Sequence, residues 1–93
     1  MKLTLLDAET LGGDLNFDLL KEFGDIVVFQ NTLPREVADH IADSDVIMIN
    51  KIKINEQNLK NAHNLKLICV AATGYDNIDL AYCKAHGIAV CNV

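Results

Sequence analysis

Five short apolar runs rich in β-branched residues recur along the chain: KLTLL at 2–6, DIVVFQ at 25–30, DVIMIN at 45–50, LKLICVAA at 65–72 and IAVCNV at 88–93. The stretches between them place apolar side chains at helical steps. A strand-then-helix period predicts a parallel sheet, because parallel neighbours need a crossover long enough to hold a helix.

The helix signals agree with this period. Phe17, Leu20 and Phe23 recur at three-residue steps before Gly24, which is placed to stop a helix. Pro34 suits a first helical turn, with Val37 and Ile41 spaced to face a core behind it. Asn55 or Glu56 can open a helix carrying Leu59, and Asp79 is a natural N-cap for LAYCKAH, closed by Gly87. The runs VIMI and LICV lack polar alternation, which predicts central strands buried on both faces. Right-handed crossovers then restrict an α/β chain of five parallel strands to a doubly wound sheet in the flavodoxin-like order 2-1-3-4-5. TLGGDLN at 10–16 is the longest irregular segment and the one expected to move.

A chain of 93 residues holds one core, so residues 1–93 are read as one unit. Apolar residues make up 51% of it, with one proline and five glycines, which excludes disordered and collagen-like classes. The net charge of −5 is uneven: residues 1–50 carry ten acids against three bases, and residues 51–93 three acids against five bases. No basic cluster provides a footprint for nucleic acid. The asymmetry reads either as solvated helix faces or as a basic half turned toward a small anion. Cys69, Cys83 and Cys91 show no CxxC spacing and read as reduced core residues of a cytoplasmic protein. No signal peptide is expected, because Asp7 interrupts the first apolar run, and no run approaches the ~20 residues that span a bilayer.

Ligands of open α/β sheets bind beyond the carboxyl ends of the strands. The residues expected there are Asp7, Asn31, Asn50 with Lys51, Thr73 with Gly74, and Asn92. Gly74 lets a ligand approach the backbone, and N–H groups near a helix start favour a carboxylate or phosphate; the same loop also reads as a plain structural turn. Asp76 and Asn77 can brace a turn. Lys51 either offers a positive charge to an anion or is merely solvated. Asp7 either binds a metal or hydroxyl or braces its loop. His40, His63 and His86 fall inside or near the ends of predicted helices and are expected on helix surfaces or at C-terminal dipole positions, not in acid-base work. No GxGxxG, GxxxxGK[ST], HExxH, GxSxG or paired-cysteine motif occurs, so no complete catalytic set, metal site or dinucleotide fingerprint is visible.

The segment ATGYDNIDLAYCKAHGIAVCNV at 72–93 resembles the D-isomer-specific 2-hydroxyacid dehydrogenases, in which GxDNID, a helix and GIxVxN follow one another. VIMINK and LKLICVAA are similar to the strands leading to that family's substrate loop, and the pairing of NK with GYDNID is most similar to its glycerate dehydrogenase or hydroxypyruvate reductase branch. The resemblance implies an NAD-dependent reduction of 2-keto acids to D-2-hydroxy acids. It implies that backbone N–H groups of Thr73 and Gly74 hold the substrate carboxylate, with Lys51 and Asn50 beside the pocket. The family's Rossmann domain and its catalytic Arg, Glu and His lie beyond the equivalent of Val93, so none maps here. This chain by itself is therefore expected to be inactive and to bind no NAD. A substrate domain lacking its closing helix and partner domain is expected to pair as a homodimer. The second reading open to these residues is a free-standing flavodoxin-like module that binds a small anion or a partner.

Overall fold

A computed structural model describes residues 1–10, 22, 24–71 and 76–92. β1 (Lys2–Leu5) pairs in parallel with both β2 (Asp25–Val28) and β3 (Val46–Ile49). β3 pairs with β4 (Leu67–Val70), and β4 with β5 (Ala89–Asn92), again in parallel. The sheet order is therefore 2-1-3-4-5, as the crossover rule requires.

Three α-helices are described: α1 (Val37–Ile41), α2 (Glu56–Leu59) and α3 (Leu80–Ala85). Each begins where the sequence places a start. A 3-10 turn at Pro34–Glu36 leads into α1, and the Leu33 N–H donates to Glu36 Oε1 at 2.9 Å. Asn55 and Asn58 cap α2 reciprocally, each side-chain oxygen accepting the other's backbone N–H at 3.1 and 2.9 Å. Asp79 Oδ1 accepts the Tyr82 N–H at 3.0 Å and so caps α3. Gly87 ends α3 at φ +72°, which lets the Ile88 N–H reach back to the Cys83 carbonyl at 2.9 Å. The helix expected at Phe17, Leu20 and Phe23, and the mobile loop expected at 10–16 beyond Thr10, lie outside the described residues.

One face of the sheet carries the larger core. Ile47, Ile49, Ile68 and Val70 meet Val37 and Ile41 of α1, Leu59 of α2 and Cys83 of α3. Burying a side chain of this size contributes about 2 kcal/mol. Thr4 is buried among these strands, where its hydroxyl is satisfied by the Ser44 hydroxyl at 2.7 Å. The opposite face holds Leu3, Leu5, Val46 and Met48, with Leu67 and Cys69 half-buried at its margin. β3 is thus buried on both faces, as VIMI predicts, whereas LICV is fully buried only through Ile68 and Val70. The expectation for β4 is corrected on that point: its neighbour β5 is the sheet edge, so its second face has less to pack against.

Candidate functional site at the carboxyl ends of the strands

β1 and β3 both end at the same rim of the sheet. Asp7, just beyond β1, is 1% exposed and anchors the chain leaving β3. Its Oδ1 accepts the Asn50 N–H at 3.0 Å and its Oδ2 the Lys51 N–H at 2.7 Å. Thr10 closes the cluster: its hydroxyl donates to the Asp7 carbonyl at 2.7 Å and lies 3.2 Å from Oδ2. The Asn50 side-chain amide donates to Thr10, to the carbonyl at 3.2 Å and the hydroxyl at 3.1 Å. Of the roles open to Asp7, the geometry selects the brace. Ionised carboxylates form the stronger class of hydrogen bond, so two successive N–H groups on one carboxylate fix the 50–51 backbone firmly.

The GYDNID segment is tied to that backbone. Ala71, after β4, donates its N–H to the Ile49 carbonyl at 2.8 Å. Asn77 Nδ2 donates to the Ile52 carbonyl at 2.7 Å, and Ile54 exchanges backbone hydrogen bonds with Asn77 and Asp79 at 2.7 and 2.9 Å. Thr73 and Gly74 lie outside the described residues, but the chain on both sides of them is fixed to residues 49–54.

Lys51 is exposed and lines a cleft of about 270 Å³ with Thr32, Pro34, Ile52, Lys53 and Asn55. Two cations and no acidic side chain border this cleft, which suits an anionic ligand. Thr32 is not available to one, since its hydroxyl donates to the Leu6 carbonyl at 2.7 Å and meets His40 Nδ1 at 3.0 Å. His40 lies in the last turn of α1, one of the helix-end positions expected for it, and stacks on Phe29 with ring centroids 3.7 Å apart, while His63 and His86 are exposed. Among the described residues no group of three or more His, Cys, Asp or Glu is placed to hold a metal ion. No described helix is long and apolar enough to cross a membrane.

Sequence reasoning brought Asn50 and Lys51 to this rim and missed Thr10. The available signal was a hydroxyl three residues past a strand-end aspartate, a local pattern that favours a side-chain-to-backbone turn.

A family model described as D-isomer specific 2-hydroxyacid dehydrogenase, catalytic domain, matches residues 8–93. The chain belongs to this family. Among its relatives, glycerate dehydrogenase of Methylorubrum extorquens is 36% identical over 99% of this chain and 29% of its own length. Hydroxypyruvate reductase of Blautia hydrogenotrophica is 32% identical over all of this chain and 30% of its own length. The chain thus spans under a third of the curated relatives it matches. The NAD+-bound 3-phosphoglycerate dehydrogenase of Entamoeba histolytica superposes with a TM-score of 0.84 at 28% identity, covering 99% of this chain and 32% of that one.

Proposed function

We propose that residues 1–93 form the substrate-holding part of an NAD-dependent oxidoreductase that reduces small 2-keto acids, of the hydroxypyruvate or glyoxylate kind, to D-2-hydroxy acids. The observation that carries this reading is the anchoring of the Asn50–Lys51 backbone by Asp7, with both flanks of the GYDNID loop tied to the same segment. In this reading the N–H groups of Thr73 and Gly74 hold the substrate carboxylate. Lys51 supplies positive charge from the cleft, and Asn50 keeps the rim in register through Thr10. Family membership and the names of the two relatives support the substrate class.

The nicotinamide cofactor supplies hydride when bound, but the residues described here do not fit it. Gly24 and Gly87 are the described glycines, and they sit before β2 and after α3 respectively, not on a strand-to-helix turn that could cradle a pyrophosphate. With no GxGxxG anywhere in the sequence, this reading gives cofactor binding to groups outside residues 1–93 and takes the 93-residue chain alone to be inactive. The same reading includes a homodimer in a cytoplasmic setting. The half-exposed edge strands β2 and β5 favour pairing, and the three free thiols favour a reducing compartment.

The test is NADH oxidation with hydroxypyruvate by a polypeptide carrying these residues together with a dinucleotide-binding domain. Lys51→Ala should raise KM several-fold with kcat little changed, because an exposed lysine contributes mainly to holding the anion. Failure to reduce any small 2-keto acid would remove the enzyme reading and leave the small-anion or partner-binding module.

A further inference from the structure

Cys69 and Cys91 stand directly opposite each other on β4 and β5, and their sulfurs are 3.6 Å apart, with Cys91 donating to Cys69. The strand register that opposes them is fixed on either side, by the Leu67–Ala89 and Val70–Asn92 pairings and by the Ala89 N–H on the Lys66 carbonyl at 2.9 Å. Both side chains are only half-buried, which corrects the reading of them as core residues and leaves them partly open to solvent, because they lie on β4 and the edge strand β5. The third cysteine differs in every respect: Cys83 is 1% exposed and packs with the helices on the opposite face.

We propose that Cys69 and Cys91 form an oxidisable dithiol, which a small disulfide of the glutathione type converts into one intramolecular cross-strand disulfide. Parallel strands lie about 4.7–4.9 Å apart, which falls within the Cα separations a disulfide spans. The sulfurs must close by roughly 1.5 Å to reach bonding distance, a movement that rotation about the two side chains begins and a slight approach of the edge strand completes. Any such disulfide returns to thiols when a reductant is supplied in excess.

The chemistry proceeds in two exchanges. The Cys91 thiolate attacks the small disulfide, forming a mixed disulfide and releasing one small thiol. The Cys69 sulfur then attacks Cys91 Sγ, forming the Cys69–Cys91 bond and releasing the second. Two protein thiols are oxidised, one small disulfide is reduced to two thiols, and the two cysteine protons pass to the departing thiolates. Burial, with the Cys91 hydrogen bond and charge adding to it, pushes the Cys69 thiol up to about 12. Closure needs the Cys69 thiolate, so it should accelerate as pH rises through the neutral and mildly alkaline range.

The experiment incubates the protein with oxidised glutathione, quenches in acid, counts thiols and maps peptides. Trypsin cleavage after Lys84 separates the two cysteines, and fragmentation distinguishes Cys69 from Cys83. The expected result is a fall from three thiols to one, Cys83 staying free and Cys69 linked to Cys91. Cys69→Ser should leave a stable glutathione adduct on Cys91. The proposal is overturned by a stable Cys91 adduct beside a free Cys69 in the unsubstituted protein, or by links through Cys83 or between two chains. Three persisting thiols, under conditions that fully oxidise dithiothreitol, would overturn it as well.

Discussion

The carboxylate of Asp7 accepts the backbone N–H of Lys51 at 2.7 Å, although the two residues stand 44 positions apart in the chain. With the neighbouring Asn50 N–H on its other oxygen, this buried group joins the ends of two central strands and sets the rim of the candidate site. Removing it leaves two backbone donors without their acceptor, and hydrogen bonds to a charged group contribute about 1.5–3 kcal/mol each. Asp7→Ala should lower the unfolding free energy by about 3 kcal/mol and Asp7→Asn by about 2 kcal/mol. Urea unfolding measures both.

Core burial sets a second contrast. Ile47 is fully buried in β3, whereas Leu80, at the first position of α3, is 45% exposed. Ile47→Ala should cost about 3–4 kcal/mol through lost contacts and the cavity left behind, and Leu80→Ala should stay within about 0.5 kcal/mol. Equal losses in denaturant melts would contradict the placement of these two side chains.

The two described glycines with positive φ should respond unequally to alanine. Gly87, at φ +72°, has open space where a Cβ would stand, so Gly87→Ala should cost only the backbone term, about 1 kcal/mol. At Gly24, φ +97°, a Cβ would lie 3.0 Å from the Met1 carbonyl oxygen. Gly24→Ala should therefore lower the thermal midpoint further than Gly87→Ala. The reverse ranking would count against the turn geometry before β2.

Alkaline pH offers a fourth test through Cys69. Burial raises its thiol from 9.0 to about 12, so the folded protein holds this proton more tightly than the unfolded chain does. The sign follows from linkage: the stabilisation is fully present below pH 9.0, declines as pH rises through that value, and is gone once pH passes about 12. Unfolding curves at pH 8 and pH 10 should show a smaller alkaline loss in Cys69→Ala than in the unsubstituted protein, and identical losses would argue against a desolvated thiol.

The fold was legible in the sequence because its signals agreed at every level. VIMI is buried on both faces, Asn55 and Asp79 cap the helices they precede, and Gly87 takes the positive φ that stops α3. The half-burial of Leu67 and Cys69 could not be read from LICV, because composition does not report how well each face of a strand is covered. Asn50 and Lys51 were legible as strand-end residues. The choice of Asp7 as brace was not, since it depends on which backbone donors a parallel neighbour presents after a long crossover. His40 was legible as a helix-end residue, but its stacking on Phe29, outside that helix, was not.

The proposed function requires this chain to hold a small 2-hydroxy or 2-keto acid by its carboxylate at the carboxyl rim of the sheet. The most direct measurement is a titration of the 15N-labelled protein with D-glycerate, following backbone amide shifts by NMR. Saturable, weak binding is expected, with the largest shifts at Thr73, Gly74 and Lys51. Shifts confined to the opposite end of the sheet, around His63 and His86, or no shifts at saturating glycerate, would contradict it.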